Sequence, residues 1–198
     1  GDLIYLINQD VVLEPDNVEK MIRAFQDEKV GAATGKVLRY DFTNNQKLNI
    51  IDSTGIIMSK SGRGRDRGQL EVDLGQYDLK RDVFGVSGAV AMYSRSALEK
   101  VKYCHDINSK QNFPPLERGG IKGGVDINSK PDLTPNQPPA ADEVGSISPR
   151  QERGVLNGSE YKWEYFDENF VAYWEDVDLS WRLNNAGFKN VYVPEAVS

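Results

Sequence analysis

The 198-residue sequence contains one cysteine, one histidine and no long apolar run. Because Cys104 stands alone, an intrachain disulfide and a cysteine-based metal site are excluded, and a reducing compartment is expected. No apolar stretch approaches the roughly 20 residues that span a bilayer. The formal net charge is −6, so the chain lacks the basic excess that non-specific nucleic-acid binding requires. Nucleic acid is therefore not an expected partner.

Apolar residues make up 39% of the chain and aromatic residues 10%, which is enough for a packed core. The first of the apolar segments, Leu3–Ile7, is a continuous run and predicts a central strand covered on both faces. The chain starts directly with this strand and without Met, and it stops at Ser198 soon after another strand-like segment. We expect it to be a piece of a longer protein.

Two helices are predicted from signals at their N-termini. Asp16 and Glu19 form a capping-box pattern ahead of apolar residues at helical spacing, and Ser96 with Glu99 repeats that pattern. The remaining apolar segments before residue 104 predict strands within 30–40, 49–58 and 83–93.

The composition changes sharply at residues 104–163, which hold seven of the nine prolines and seven of the 18 glycines. The five residues Asp106–Lys110 recur unchanged at Asp126–Lys130. Such a stretch has too few apolar residues to order itself, which predicts a flexible insertion. The expected organisation is therefore a domain made of 1–103 and 164–198, interrupted by 104–163.

The first candidate site follows the apolar strand at Leu3–Ile7. Asn8 and Asp10 come directly after it, and ligands of open α/β sheets bind beyond the carboxyl ends of strands. One carboxylate with substrate phosphates and waters is a common way to hold Mg²⁺. A simple turn is the alternative, and these two residues alone do not decide between them.

The second candidate site is a run of three carboxylates, Glu175, Asp176 and Asp178, at the start of a predicted helix that Gly187 ends. Acidic residues at this end complement the helix dipole, and Asp178 is spaced to pair with Arg182. The preceding aromatic residues would desolvate a carboxylate partly and make it a stronger base. Capping and chemistry are both open interpretations.

Other segments have less specific patterns. Ser87 and Gly88 fall inside the apolar run 83–93, where small residues allow either close packing or the approach of a ligand. The basic segment Lys60–Gly68 could contact phosphates through its four basic residues, but a solvated loop is the expected interpretation. Asn190–Val193 predicts a closing strand that Pro194 ends.

In their order along the chain, these motifs resemble the family 2 glycosyltransferases of the GT-A fold, especially the bacterial rhamnosyltransferase-like branch. The resemblance covers nearly everything outside 104–163. The matching segments are Asn8–Val11, Ile51–Gly55, Arg67–Gly68, Val86–Ala89, Ala97–Val101, Phe166–Phe170, Trp174–Leu179, Arg182–Leu183, Ala186–Gly187 and Val193–Ala196. It implies an α/β fold, the C-terminal part of a Rossmann-like GT-A domain with a mixed sheet.

The resemblance also implies roles for individual residues. Asp10, with Asn8 in the place of a first acid, would bind a divalent metal, Mg²⁺ or Mn²⁺, on the diphosphate of a nucleotide sugar. Asp176 would be the general base, and Glu175 would orient the site. Residues expected to contact donor or acceptor are Ser87, Gly88, Trp174, Asp178 and Arg182.

The implied activity is inverting transfer of a sugar, rhamnose being one candidate. The donor would be a nucleotide sugar and the acceptor a cell-surface polysaccharide or a lipid-linked precursor. The enzyme would work in the cytoplasm at the inner membrane face, with peripheral membrane contact through parts outside this chain. Relatives carry a preceding nucleotide-binding half, so the 198-residue chain alone is expected to be weak or inactive. Two alternatives stay open: a non-catalytic remnant or interaction domain, and a Ca²⁺-binding module at 175–178.

Overall fold

A computed structural model describes residues 1–60, 62–106, 153–156, 159–167 and 174–198. The chain divides into two compact units, Gly1–Tyr103 with Tyr165–Ser198, and Cys104–Glu164. The helices and strands of the described residues are β1 (Leu3–Ile7), α1 (Asn17–Arg23), a 3-10 helix (Ala24–Gln26), β2 (Val30–Asp41), β3 (Gln46–Ser53), β4 (Ile56–Met58), β5 (Gly64–Asp66), β6 (Arg81–Val83), β7 (Val90–Ser94), α2 (Arg95–Val101), β8 (Tyr103–Asp106), β9 (Arg153–Leu156), β10 (Ser159–Glu164), α3 (Glu175–Asn185) and β11 (Lys189–Val197).

The first unit is built on a six-stranded mixed sheet in the order β1-β7-β2-β11-β6, with β3 paired to β2. β2 and β11 are parallel, whereas β1 and β2 both run antiparallel to β7. Within the described residues β1 is thus an edge strand, and its side chains at Leu3–Leu6 are only half-buried. The prediction of a central strand buried on both faces is wrong, because an apolar run indicates a strand but not its neighbours.

Alternating side chains of this sheet feed two apolar layers. Ala32 and Tyr93 face a core formed with α2 and α3, while Ala33 and Met92, one position away, face a core formed with α1. Period-2 alternation of this kind separates the two faces of a sheet. Helices on both faces of a mixed sheet confirm the predicted α/β class and the Rossmann-like GT-A architecture.

The predicted helices form, but their ends differ from the expected patterns. Asp16 precedes α1 without a side-chain capping bond and pairs with Lys20 instead, at 2.7 Å. α2 begins at Arg95, directly after Ser94, so the predicted start at Ser96 is wrong. Gly187 has φ +84° and ends α3 as predicted, and Phe188 N–H donates to Leu183 O in a Schellman motif.

Two other expectations are corrected. β11 continues through Pro194 to Val197 with a register shift, so this proline does not end the strand. Lys60–Gly68 is not a solvated basic loop throughout, because β5 pairs with β4 and Arg67 is 6% exposed. The Arg67 guanidinium lies between the rings of Tyr77 and Tyr192, 4.7 Å from each centroid.

The second unit contains β9 and β10, which pair antiparallel, and most of β8, which completes a three-stranded sheet in the order β8-β10-β9. Sequence reasoning did not predict these strands inside 104–163. Most of the predicted flexible insertion lies outside the described residues, namely residues 107–152 and 157–158. Among the helices that the structure describes, none is long and apolar enough to cross a membrane.

Candidate active site

The loop after β1 is joined by its backbone to the loop before β7. Asn8 N–H donates to Ala89 O at 2.9 Å, and Val11 N–H donates to Asn8 O at 3.3 Å in a turn. The side chains of Asn8 and Asp10 are exposed. Asn8 and Asp10 therefore belong to a turn and are also open to a ligand. The two interpretations of these residues are compatible.

The segment 84–89 is a loop between β6 and β7, so the prediction that Ser87 and Gly88 lie within a buried strand is wrong. Its backbone is instead bonded to α3. Val86 N–H donates to Ser180 Oγ at 3.3 Å, and Gly88 N–H donates to Asp176 Oδ2 at 2.9 Å. The apolar periodicity continued across the loop because Val86 is fully buried, although it is not in a strand.

The first turn of α3 carries Glu175 and Asp176, as predicted. Asp176 Oδ1 also accepts a bond from the N–H of Val177, at 2.8 Å. The residue before the helix, Trp174, has φ +79° in the left-handed region and is 47% exposed. This conformation is strained for a bulky side chain, and such strain is concentrated at functional sites. An exposed indole thus precedes the first turn of α3, two residues before Asp176 in the chain.

Asp178 and Arg182 form the predicted i,i+4 pair, with Arg182 Nε 2.9 Å from Asp178 Oδ2. Arg182 also donates to the carbonyl oxygens of Val101 and Tyr165. These bonds connect α3 to the end of α2 and to residue 165. They support a bracing function for the pair, whereas its contact with donor or acceptor stays a prediction.

A cavity of about 250 Å³ opens beside the loop after β1. Asn8 and Asp10 line it together with Asp52, at the end of β3, and Ala89. Arg39, an exposed residue of β2, adds a positive charge to the same cavity. Sequence reasoning did not select Arg39 or Asp52, although Asp52 lies within one of the segments that carried the resemblance. The cavity thus combines two carboxylates, one guanidinium and the Asn8 amide.

Comparison with known families finds that Glycosyl transferase family 2 matches residues 1–102, just over half of the 198-residue chain. The chain belongs to this glycosyltransferase family. The match contains Asn8, Asp10, Ser87 and Gly88, whereas Trp174 and the α3 carboxylates lie beyond it. A search of curated proteins found no match, and neither did a search of solved structures.

A divalent metal is common in family 2 glycosyltransferases, and the donor groups here can be compared with what such a metal needs. Among the described residues, no group of three His, Cys, Asp or Glu side chains could hold an ion by itself. Asp10 and Asn8 offer one carboxylate and one amide oxygen at an open cavity. Mg²⁺ is usually bound by one or two carboxylates, waters and substrate phosphates. The residues therefore fit an ion that a substrate diphosphate helps to hold.

One further acidic residue of this glycosyltransferase domain was missed by sequence reasoning. Asp66, on β5, accepts a hydrogen bond of 2.6 Å from Ser53 Oγ. Burial raises the pKa of the Asp66 carboxyl; the Ser53 hydrogen bond opposes this rise, and the charges of Asp176 and Asp52 add to it. Asp66 therefore lies within electrostatic range of both the α3 carboxylate and the cavity, which no spacing in the sequence could reveal.

Proposed function

We propose that the protein is an inverting, metal-dependent hexosyltransferase that takes its sugar, with rhamnose as one candidate, from a nucleotide-sugar donor. The acceptor is a cell-surface polysaccharide or a lipid-linked precursor, and the reaction takes place in the cytoplasm at the inner face of the membrane. One observation carries the proposal. A single short loop bonds through Ala89 O to Asn8 and through Gly88 N–H to Asp176.

This arrangement supports a division of labour between the two ends of the loop. Asp176 would take the proton from the acceptor hydroxyl as that oxygen attacks the anomeric carbon. The bond between the anomeric carbon and the nucleotide diphosphate breaks on the opposite side, so the product is inverted. Gly88 N–H occupies one lone pair of Asp176 Oδ2 and fixes the direction of the carboxylate. The exposed indole of Trp174 offers an apolar surface for the acceptor beside it.

Asp10 and Asn8 would hold the metal on the donor diphosphate. When bound, the ion would neutralise charge that develops on the departing diphosphate. Arg39 and Asp52 line the same cavity, so they are further candidates for contact with the donor or acceptor. Asp178 and Arg182 would then shape the site from α3, as the resemblance implies.

The test is an assay of the full parent protein, read from the gene on both sides of these 198 residues. A panel of nucleotide sugars is offered with Mg²⁺, Mn²⁺ or chelator, and release of nucleotide diphosphate is measured. We expect metal-dependent turnover that Asp10→Ala and Asp176→Ala abolish. Asp27→Ala, an exposed acid outside the site, is the matched control and should retain activity.

Two outcomes would contradict the proposal. In the first, the folded parent protein neither binds nor turns over any donor, which would favour a non-catalytic interaction domain. Alternatively, turnover could persist in Asp176→Ala, which would move the general base elsewhere. Assaying the 198-residue chain beside the parent tests the expectation that it is weak or inactive alone.

A further inference from the structure

Tyr93 is the large polar side chain at the centre of the core between the sheet and α3. It lies on β7, between β1 and β2, and is 1% exposed. Its ring packs edge-on against Phe166, with centroids 6.3 Å apart. Its hydroxyl is buried and has no hydrogen-bond partner among the described residues. A buried hydroxyl left in that state is costly, so a partner is expected nearby.

Glu175 presents the complementary group. Residues four apart on a helix share a face, so Glu175 lies on the same side of α3 as Leu179 and Leu183. Both leucines are fully buried and belong to the same core cluster as Tyr93. Oε2 of Glu175 is buried and, among the described residues, has no partner either. One orphan donor and one orphan acceptor therefore face the same core.

The electrostatics agree with this proximity. Burial raises the pKa of the Tyr93 phenol, and the negative charges of Asp176 and Glu175 raise it further, while Arg182 opposes them. The phenol is therefore within electrostatic range of Asp176 and Glu175, two of the three carboxylates in the first turn of α3. Asp176 already has Gly88 N–H and Val177 N–H as partners, which leaves Glu175 as the carboxylate that needs a donor.

We propose that Tyr93 is a positioning residue for the catalytic turn of α3, donating a hydrogen bond from its hydroxyl to the Glu175 carboxylate. The two groups are not bonded to each other in the structure, so the proposed bond requires a change of the Glu175 rotamer. The bond anchors the residue next to Asp176, so the direction of the Asp176 carboxylate depends on Tyr93 as well as on Gly88. This role rests on the proposed function, because it matters only if Asp176 takes a proton during transfer.

The pairing itself is tested without activity, by a double-mutant cycle on the folding equilibrium. Tyr93→Phe removes only the hydroxyl, and Glu175→Met removes the acceptor while keeping the length of the side chain. Tyr192→Phe is the matched control, because its hydroxyl is also buried and unpartnered among the described residues. Each substitution changes the folding equilibrium constant by some factor. We expect the factor for the double variant, Tyr93→Phe with Glu175→Met, to differ by about fivefold from the product of the two single factors. The same comparison with Tyr192→Phe should agree to within about twofold.

The positioning role is tested in the full parent enzyme by steady-state kinetics. Tyr93→Phe should lower kcat about tenfold with the donor KM unchanged, since orientation and not binding is lost. Tyr192→Phe should change neither constant. An additive Tyr93–Glu175 cycle would overturn the pairing, and a coupled cycle with an unchanged kcat would overturn the positioning role. A coupled cycle in a parent protein that turns over no donor would leave the pair intact and reject the proposed function.

Discussion

The backbone N–H of Gly88 donates a 2.9 Å hydrogen bond to Oδ2 of Asp176, across a separation of 88 residues. A Cβ on Gly88 would lie 3.4 Å from that oxygen, which is ordinary van der Waals contact. Gly85, three residues earlier, is different, because a Cβ there would lie 2.6 Å from Ser180 Oγ. The loop therefore needs glycine at 85 to approach α3, whereas residue 88 contributes its N–H.

Removing the Asp176 carboxylate should expose the energetic contribution of this bond. Asp176→Ala leaves Gly88 N–H without its acceptor, and we expect a loss of about 1 kcal/mol in the free energy of unfolding. Asp176→Asn keeps an oxygen at the same position and should lose less than half of that. Urea denaturation at pH 7 measures both. Equal losses in the two variants would show that the hydrogen bond contributes nothing to stability.

The two glycines of the loop should respond differently to the same substitution. Gly85→Ala places a methyl group against Ser180 and should cost about 2 kcal/mol through overpacking. The free energy of unfolding of Gly88→Ala, the matched control, should stay within about 0.5 kcal/mol of that of the unsubstituted protein. Thermal and urea unfolding would check both values. Similar costs at the two positions would contradict the close approach at 85.

Trp174 should show strain that glycine relieves. Its φ of +79° is easily adopted by glycine but costs other residues on the order of 1 kcal/mol. Trp174→Gly should therefore be more stable than Trp174→Ala by about 1 kcal/mol, since both remove the indole but only glycine relaxes the backbone. Urea denaturation of the pair gives the difference directly. If alanine is the more stable of the two, the left-handed conformation is not present in solution.

Asp66 should make stability depend on pH in a defined direction. Its pKa is raised in the folded protein, so its contribution to stability is present below the unfolded value of about 3.9 and is lost as pH rises through the folded value. Asp66→Asn should then stabilise the protein at pH 7 by on the order of 0.5 kcal/mol, a small gain because solvent screens the partly exposed carboxylate. Below pH 3.9 the gain should vanish.

Urea denaturation across this pH range checks the Asp66 prediction, with Asp27→Asn as a control of opposite sign. The backbone N–H of Lys29, and also the charge of Lys189, lowers the pKa of Asp27 in the folded protein. Its contribution is therefore present above the unfolded pKa and lost as pH falls through the folded one. Asp27→Asn should destabilise at pH 7. The same sign in both variants would contradict the environment assigned to Asp66.

The two ion pairs of Lys36 should contribute unequally to the free energy of unfolding. Lys36 Nζ lies 2.8 Å from Asp73 Oδ2 and 2.5 Å from Asp78 Oδ1, but the side chain of Asp73 is 14% exposed and that of Asp78 59%. Lys36→Met leaves Asp73 buried without its cation and should cost about 3 kcal/mol. Asp78→Asn should cost less than about 1 kcal/mol. A double variant, Lys36→Met with Asp73→Leu, should recover much of the loss in a urea titration.

The sequence allowed the local features of the fold to be predicted, because they depend on neighbouring residues. The apolar run at Leu3–Ile7 and the helix ended by Gly187 are both where the pattern places them. The edge position of β1 was not predictable, since pairing partners are decided by distant segments. The same limit explains the wrong strand through Ser87–Ala89, where burial of Val86 against α3 produced an apolar pattern without a strand.

The residues of the candidate site also divide into those that local sequence predicted and those that distant contacts decide. Asp10 and Asp176 were selected because each sits at the end of a recognisable element, and their proposed roles stay predictions. Asp52, Asp66 and Tyr93 were missed, because each is placed near the candidate site only by contacts between segments that are distant in the sequence. The hydrogen bond between Ser53 and Asp66, for example, crosses 13 residues and two turns of chain. A buried hydroxyl such as that of Tyr93, which has no partner in the described part of the chain, has no signal in a sequence.

The position of β11 in the sheet has a consequence for synthesis on the ribosome. β2 and β6 flank this strand, and β2 is its parallel partner, yet β2 begins at Val30 and β11 only at Lys189. A nascent chain therefore emerges with both flanking strands unpaired on the sides that β11 later fills. Exposed strand edges are sites of association between chains. Until β11 itself leaves the exit tunnel, chaperones that cover such edges would govern the yield of folded protein.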